Sequence, residues 1–264
     1  MTTGGIWLFG CGNMGGAMLR RWLSSGLEAN SILVIDPGAP AVPEGVRVVA
    51  APPPGATAGT IVLAIKPQQL DAVAPILGDA HGASLIISIL AGVEEAALRS
   101  RFGDVAVVRA MPNLPVAIGK GVVALHTTSE AADIRARAES LAAPLGMVEW
   151  IAGEVQFDAV TALSGCGPGF VFRFIDALAE AGVALGLPGD QADRLARATV
   201  EGAGIMAATA PDSPAVLADR VASPGGSTRE GLNVLDRDGA LKNLLRETLA
   251  ASARRNAEMA AAAR

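Results

Sequence analysis

Hydrophobic positions in the first 150 or so residues fall in short, nearly unbroken runs. Runs at 6–9, 32–35, 46–49, 61–65, 84–89 and 105–109 read as strands. A strand that does not alternate suits a parallel sheet covered on both faces. Helical spacing fills the intervals. Met14, Met18 and Trp22 recur one turn apart ahead of Gly26, which predicts a helix with a glycine stop, and 91–102 predicts another. Two later strands, 121–125 and 147–151, flank a helix over 130–141. The pattern predicts an α/β domain over residues 1–153. Beyond Gly153 the strand signals stop. Residues 157–186 are helical in period, with Phe170, Phe174 and Leu178 on one stripe and a glycine-rich break at 164–169. With 191–208 and 239–262 also helical, 154–264 predicts an all-α domain. Its many small side chains let helices approach closely but close a core poorly, which points towards self-association.

Composition narrows the chemistry. The chain has 264 residues, a formal charge of −5, 51% hydrophobic and 18% charged residues. That excludes disorder and allows a full core. Two cysteines exclude a disulfide framework. Mild acidity without a Lys/Arg cluster argues against nucleic acid as a partner. The longest apolar run, 83–92, is too short for a bilayer, and no basic residue precedes the first apolar run. A cytoplasmic protein with no membrane partner is expected. With no Tyr and only His81 and His126, Tyr- or His-based acid–base chemistry has little to draw on. No cluster has metal-ligand spacing, so no metal is expected. Cys11 and Cys166 sit among glycines and read as small packing residues; Cys166 has neither a nucleophile elbow nor a nearby His.

Four segments carry candidate chemistry. Gly10, Cys11, Gly12, Asn13, Met14 and Gly15 form G-x-G-x-x-G between the first strand and the first helix. The first glycine permits a tight turn, the second lets backbone N–H groups approach a pyrophosphate, and the third lets helix and strand pack closely. Asp36 ends the second strand about 20 residues on, where a ribose would be read. By itself it favours NAD(H), although the turn Asp36-Pro37-Gly38 could swing its carboxylate away. Ala64, Ile65, Lys66 and Pro67 follow the fourth strand, at the edge of an open sheet where ligands bind. Lys66 could contact phosphate or ribose, or simply be a solvated side chain on a capped loop. Met111, Pro112 and Asn113, with Pro115, read as a rigid non-helical loop that offers the Asn113 amide at a cleft mouth. Ser223, Pro224, Gly225, Gly226, Ser227 and Thr228 precede a helical run and form an anion nest suited to a carboxylate, unless Ser227 or Thr228 merely caps the helix.

Together these segments resemble the pyrroline-5-carboxylate reductase family. The matching pieces are GCGNMGGA, IKPQ, RAMPN-x-P, ALSG-x-GP-x-x-VF-x-FIDAL, AGVALGLP and SPGGST, in the family's order and across nearly the whole chain. The resemblance implies a Rossmann-type doubly wound sheet followed by a helical dimerisation domain. It implies reduction of 1-pyrroline-5-carboxylate to L-proline with NADPH or NADH, in a dimer or an oligomer of dimers. Gly10–Gly15 and Ala64–Pro67 would then hold the dinucleotide, and Met111, Pro112 and Asn113 would border the nicotinamide. Ser223, Gly225, Gly226 and Ser227 would bind the substrate carboxylate, and Thr228 would face the ring nitrogen. The chain departs from the family at Leu114 (usually Thr), Cys166 (usually Ser), Gly169-Phe170 (commonly Ala-Tyr) and Ser227 (often Thr or Ala), and 210–215 lacks a Glu-containing pattern. The Leu114 and Phe170 changes bear on substrate size. The same residues leave room for a reductase of a related cyclic imine acid, or for a non-catalytic dinucleotide-binding protein. A β-hydroxyacid-type dehydrogenase would need a Lys that 156–173 lacks.

Overall fold

The computed structural model describes residues 5–78 and 80–262. Eight strands form one sheet: β1 (Ile6–Phe9), β2 (Ile32–Ile35), β3 (Arg47–Val49), β4 (Thr60–Leu63), β5 (Leu85–Ser88), β6 (Ala106–Pro112), β7 (Gly121–His126) and β8 (Gly146–Trp150), in the order β3-β2-β1-β4-β5-β6-β7-β8. Ile6 of β1 pairs with Ile32 on one side and Thr60 on the other, both parallel. The crossovers reverse direction between β1 and β4, the switch point of a doubly wound sheet.

The apolar runs are continuous because both faces are covered. Leu8, Val34, Val62 and Val108 pack on one face with Trp22, Ile134 and Leu145. Trp7, Phe9, Ile61 and Ile86 pack on the other with Leu77, Leu98 and Phe102. The helices of this region are α1 (Asn13–Ser24), α2 (Leu70–Leu77), α3 (Glu95–Phe102), α4 (Ala132–Ala142) and the single turn α5 (Phe157–Val160). Trp22 donates from Nε1 to the Leu141 carbonyl at 2.6 Å, and Arg21 from Nε to the Pro144 carbonyl at 2.7 Å. These bonds tie α1 to the end of α4.

The expected parallel arrangement fails in one place. β6 runs antiparallel to β7, with Arg109 opposite His126 and Pro112 opposite Val123. The residues between them, 113–120, are too few for the dozen or more that a parallel crossover needs. The predicted loop around Pro112 and Pro115 is correspondingly ordered: Met111 and Pro112 belong to β6, and Leu114–Ile118 is a 3-10 helix with Pro115 in its first turn.

The chain divides into two compact units, residues 1–166 with 252–264, and 167–251. The division falls later than the loss of strand signal at 153. Phe157 of α5 is buried against Met111 and Ala124 and so belongs with the sheet. The break expected at 164–169 is shorter and earlier: a π turn over Thr161–Gly165, closed by the Cys166 N–H on the Thr161 carbonyl at 2.8 Å, with Gly167 already helical. Beyond it run α6 (Gly167–Ala184), α7 (Gly189–Thr209), α8 (Pro214–Arg220), α9 (Ser227–Asp236) and α10 (Ala240–Ala262). Within 167–251 the buried residues are three alanines, Ala192, Ala196 and Ala222. Phe172, Phe174, Leu195, Ile205 and Met206 are all at least half exposed. No described helix is long and apolar enough to cross a membrane.

Candidate functional site

The glycine motif forms a cradle at the switch point. Gly10 has φ +87°, and a Cβ there would lie 2.6 Å from the Ala64 carbonyl oxygen. A Cβ on Gly15 would lie 2.4 Å from the Gly10 oxygen and 3.1 Å from the Ala64 Cβ. The chain is thus closed beneath these two glycines. Above Gly12 it is open, since a Cβ there meets nothing within 4 Å. Gly12 is the N-cap of α1 and brings no side chain to cap it, so the amides of the first turn face that space uncapped. An open space, floored by close backbone and fronted by a helix N-terminus, suits a dinucleotide pyrophosphate.

Asp36 is drawn into the same loop. Its Oδ2 accepts the Cys11 N–H at 2.8 Å, and its Oδ1 accepts the Gly38 N–H at 2.8 Å. The turn at Pro37 therefore does not swing the carboxylate away. Cys11 is a buried free thiol. Burial pushes its pKa up, the Asp36 carboxylate adds to the rise, and Arg20 opposes it. It stays a neutral packing residue.

Ala64 lies against Gly10 and Gly15, so the loop after β4 is part of the cradle wall. The Lys66 N–H donates to Gln69 Oε1 at 3.0 Å, and the Gln69 N–H returns to the Lys66 carbonyl at 2.9 Å. This capped turn starts a short 3-10 helix, Pro67–Gln69, and leaves the Lys66 side chain exposed. Met111 and Pro112 are buried at the end of β6. Three strand spacings, about 14 Å, separate the ends of β1 and β6. Asn113 differs from its sequence reading, in which its amide is free at a cleft mouth. It is 7% exposed, its Nδ2 donates to the Ser164 carbonyl at 2.9 Å, and its Oδ1 accepts the Val122 N–H at 2.8 Å. The side chain clamps the π turn to the β6–β7 connection, and only its backbone is left to border a ligand.

Sequence reading did not single out the polar cluster behind β6. Arg109, 5% exposed, pairs with Glu154 and lies 4.1 Å over the Phe157 ring. Glu154 also accepts the Glu95 N–H at 2.7 Å. Glu95, 4% exposed, accepts the Thr128 N–H at 3.0 Å and the Thr128 hydroxyl. His126 Nε2 stands 4.0 Å from Glu95 Oε2. An arginine within an otherwise apolar strand was the available signal.

In the helical unit, Gly225 has φ +70°, and a Cβ on Gly226 would lie 2.6 Å from Ser223 Oγ. The Gly226 N–H donates to the Ser223 carbonyl at 2.9 Å, which folds the loop back on itself. Gly226 is the N-cap of α9, and no side chain caps that helix. The alternative reading of Ser227 or Thr228 as a cap therefore does not hold; both are exposed. Arg229 ties the helix start to Asp219 at 2.8 Å. The loop offers uncapped amides and two hydroxyls.

A doubly wound sheet with a dinucleotide cradle at its switch point, followed by helices that cannot close a core alone, defines a nicotinamide-dependent oxidoreductase with a dimerisation domain. Residues 154–259 match the family model described as pyrroline-5-carboxylate reductase dimerisation, and residues 5–92 match that of NADP oxidoreductase, coenzyme F420-dependent. The pyrroline-5-carboxylate reductase of Pseudomonas aeruginosa is 35% identical over 269 residues, covering 98% of both chains. That of Thermus thermophilus is 36% identical over 258 residues, covering 95% of this chain and 96% of the other. The solved structure from Coxiella burnetii matches with TM-score 0.89 at 33% identity, over 97% of this chain and 98% of that one. The Plasmodium falciparum enzyme, solved with NADP bound, shares the fold at 23% identity and TM-score 0.85, over 98% of this chain and 99% of that one. The chain belongs to the pyrroline-5-carboxylate reductase family.

Proposed function

We propose that this protein reduces 1-pyrroline-5-carboxylate to L-proline with NADH or NADPH, as the last step of proline synthesis. One observation carries the reading: the open cradle over Gly12 stands at the switch point of a chain that matches reductases of this name from end to end.

When bound, the dinucleotide supplies the hydride. The amides of Gly12, Asn13, Met14 and Gly15 would hold its pyrophosphate, with Gly10 and Cys11 shaping the turn beneath. Ala64, Ile65, Lys66 and Pro67 form a wall, and Met111, Pro112 and the Asn113 backbone border the nicotinamide. Ser223, Gly225 and Ser227 would bind the substrate carboxylate through backbone N–H groups and hydroxyls, while Gly226, whose N–H is held by the Ser223 carbonyl, shapes the turn. The imine reaches the site protonated, or takes its proton through Thr228 and water. The Thr228 hydroxyl would orient the ring nitrogen, whose positive charge is lost on reduction. Orientation and charge control suffice for this transfer, in keeping with the absence of Tyr and the scarcity of His.

Thr228→Ala should lower turnover about 100-fold and leave the coenzyme dissociation constant unchanged. Loss of reduced-coenzyme absorbance, followed with pyrroline-5-carboxylate, measures the first and a coenzyme titration the second. Unchanged turnover removes Thr228 from the mechanism. The same assay with a six-membered cyclic imine acid tests the second reading, reduction of a related substrate, which Leu114 in place of the family's Thr leaves open. A protein that turned over neither imine would be a non-catalytic dinucleotide binder.

Self-association through the helical unit follows from its exposed apolar residues, as a dimer or an oligomer of dimers. A cytoplasmic location accords with the two free thiols.

A further inference from the structure

We infer that Asp36 makes this reductase selective for NADH over NADPH. The inference rests on the dinucleotide reading above and adds which coenzyme the cradle takes. Its basis is the anchoring of one carboxylate. A side chain held at only one oxygen can rotate out of the way of a 2′-phosphate. Asp36 is held at both, by the Cys11 N–H inside the cradle and by the Gly38 N–H in the turn after β2, each at 2.8 Å. The Asp36 N–H is also fixed, on the Val49 carbonyl at 2.9 Å. An ionised carboxylate offers about four acceptor positions, so the two in use leave two for ribose hydroxyls. It offers no donor to a phosphate, whose charge it would oppose at close range.

The turn after β2 brings no cation of its own against that charge. The connection from Pro37 to Val46 contains neither Lys nor Arg. Arg47 pairs with Leu33, three residues back along β2 from Asp36. In a parallel pair that places it about 10 Å towards the opposite edge of the sheet. The Arg20 guanidinium lies over Gly16, where a Cβ would meet it at 3.2 Å, and beside Cys11 rather than in the turn after β2. Lys66 follows β4, which lies beyond β1 from β2. The position that would receive a 2′-phosphate thus faces a fixed anion and an apolar turn of Pro37, Gly38, Ala39 and Pro40.

The test is binding, read on the full-length protein by titration with NADH and NADPH and followed by coenzyme fluorescence. NADH should bind at least about tenfold more tightly. In Asp36→Asn the gap should shrink to about threefold or less, chiefly because NADPH binds better, since the amide keeps an acceptor for one backbone N–H and loses the charge. Raising the salt concentration should also narrow the wild-type gap, a readout that needs no variant to fold. Equal or tighter binding of NADPH by the wild type overturns the inference. So does a gap that survives both Asp36→Asn and high salt. Binding of neither coenzyme overturns the dinucleotide reading itself, and this inference with it.

Discussion

Gly15→Ala is expected to destabilise the protein by about 3 kcal/mol and to abolish measurable coenzyme binding. The added methyl would meet the Gly10 carbonyl oxygen at 2.4 Å, and backbone cannot turn aside as a flexible side chain can. The only relief is for α1 to move off β1. That path is blocked at the far end of the helix, where buried Trp22 and Arg21 hydrogen-bond the Leu141 and Pro144 carbonyls. The strain therefore falls on the cradle. Gly12→Ala is the informative contrast. Its methyl meets no protein atom within 4 Å, so the melting temperature should change little while coenzyme affinity falls about 100-fold. Thermal melts and coenzyme titrations of the two variants check the pair. If Gly12→Ala binds coenzyme as the wild type does, the hollow above it is not the pyrophosphate site.

The second large effect is expected at Arg109. Arg109→Leu should cost about 3–4 kcal/mol, seen as a fall in melting temperature of about 10 °C. The substitution leaves the Glu154 carboxylate without its cation and the Phe157 ring without the guanidinium stacked on it. Glu154 also holds the first N–H of α3, so the loss spreads to that helix. Because the Glu154 side chain is 28% exposed, water recovers part of its charge, which places the effect at the lower end for a broken buried pair. The double variant Arg109→Leu/Glu154→Gln should regain part of the loss. If the double variant is as unstable as the sum of the single variants, the pair does not carry the effect.

Much of the fold is legible in the sequence because both faces of the sheet are covered. That requirement makes each strand a continuous apolar run, and all eight appear at or within a few residues of the expected positions. Helices with prolines escape the same reading. Pro75 lies inside α2 and interrupts its pattern, while α8, opened by Pro214 after the Ser213 cap, is only seven residues long. The π turn at Thr161–Gly165 is hidden for another reason: it differs from an α-helix by one residue per hydrogen bond, and Gly165 with the glycines after it reads as a break. Strand direction is not written in a single run, so the antiparallel β6–β7 pair becomes predictable only from the length of the connection.

At the site, residue type was legible and orientation was not. Gly10, Gly12 and Gly15 play distinct parts that the motif implies. Asp36 and Asn113 are both polar residues at strand ends; the spacing of Asp36 from the glycine motif marks it as a ribose reader, but nothing in the sequence shows that the Asn113 side chain is turned inward. Yet one carboxylate, though bonded to two backbone N–H groups, retains acceptor capacity towards a ligand, and the other side chain is fully occupied as a clamp.

Three buried alanines give residues 167–251 little core of their own. On the proposed pairing of subunits, the native state of that region is a property of two chains rather than one, and its free energy depends on protein concentration by mass action. A single melting temperature would then have no meaning without the concentration at which it was recorded. A harmful change in one chain would also be felt by the normal chain bound to it.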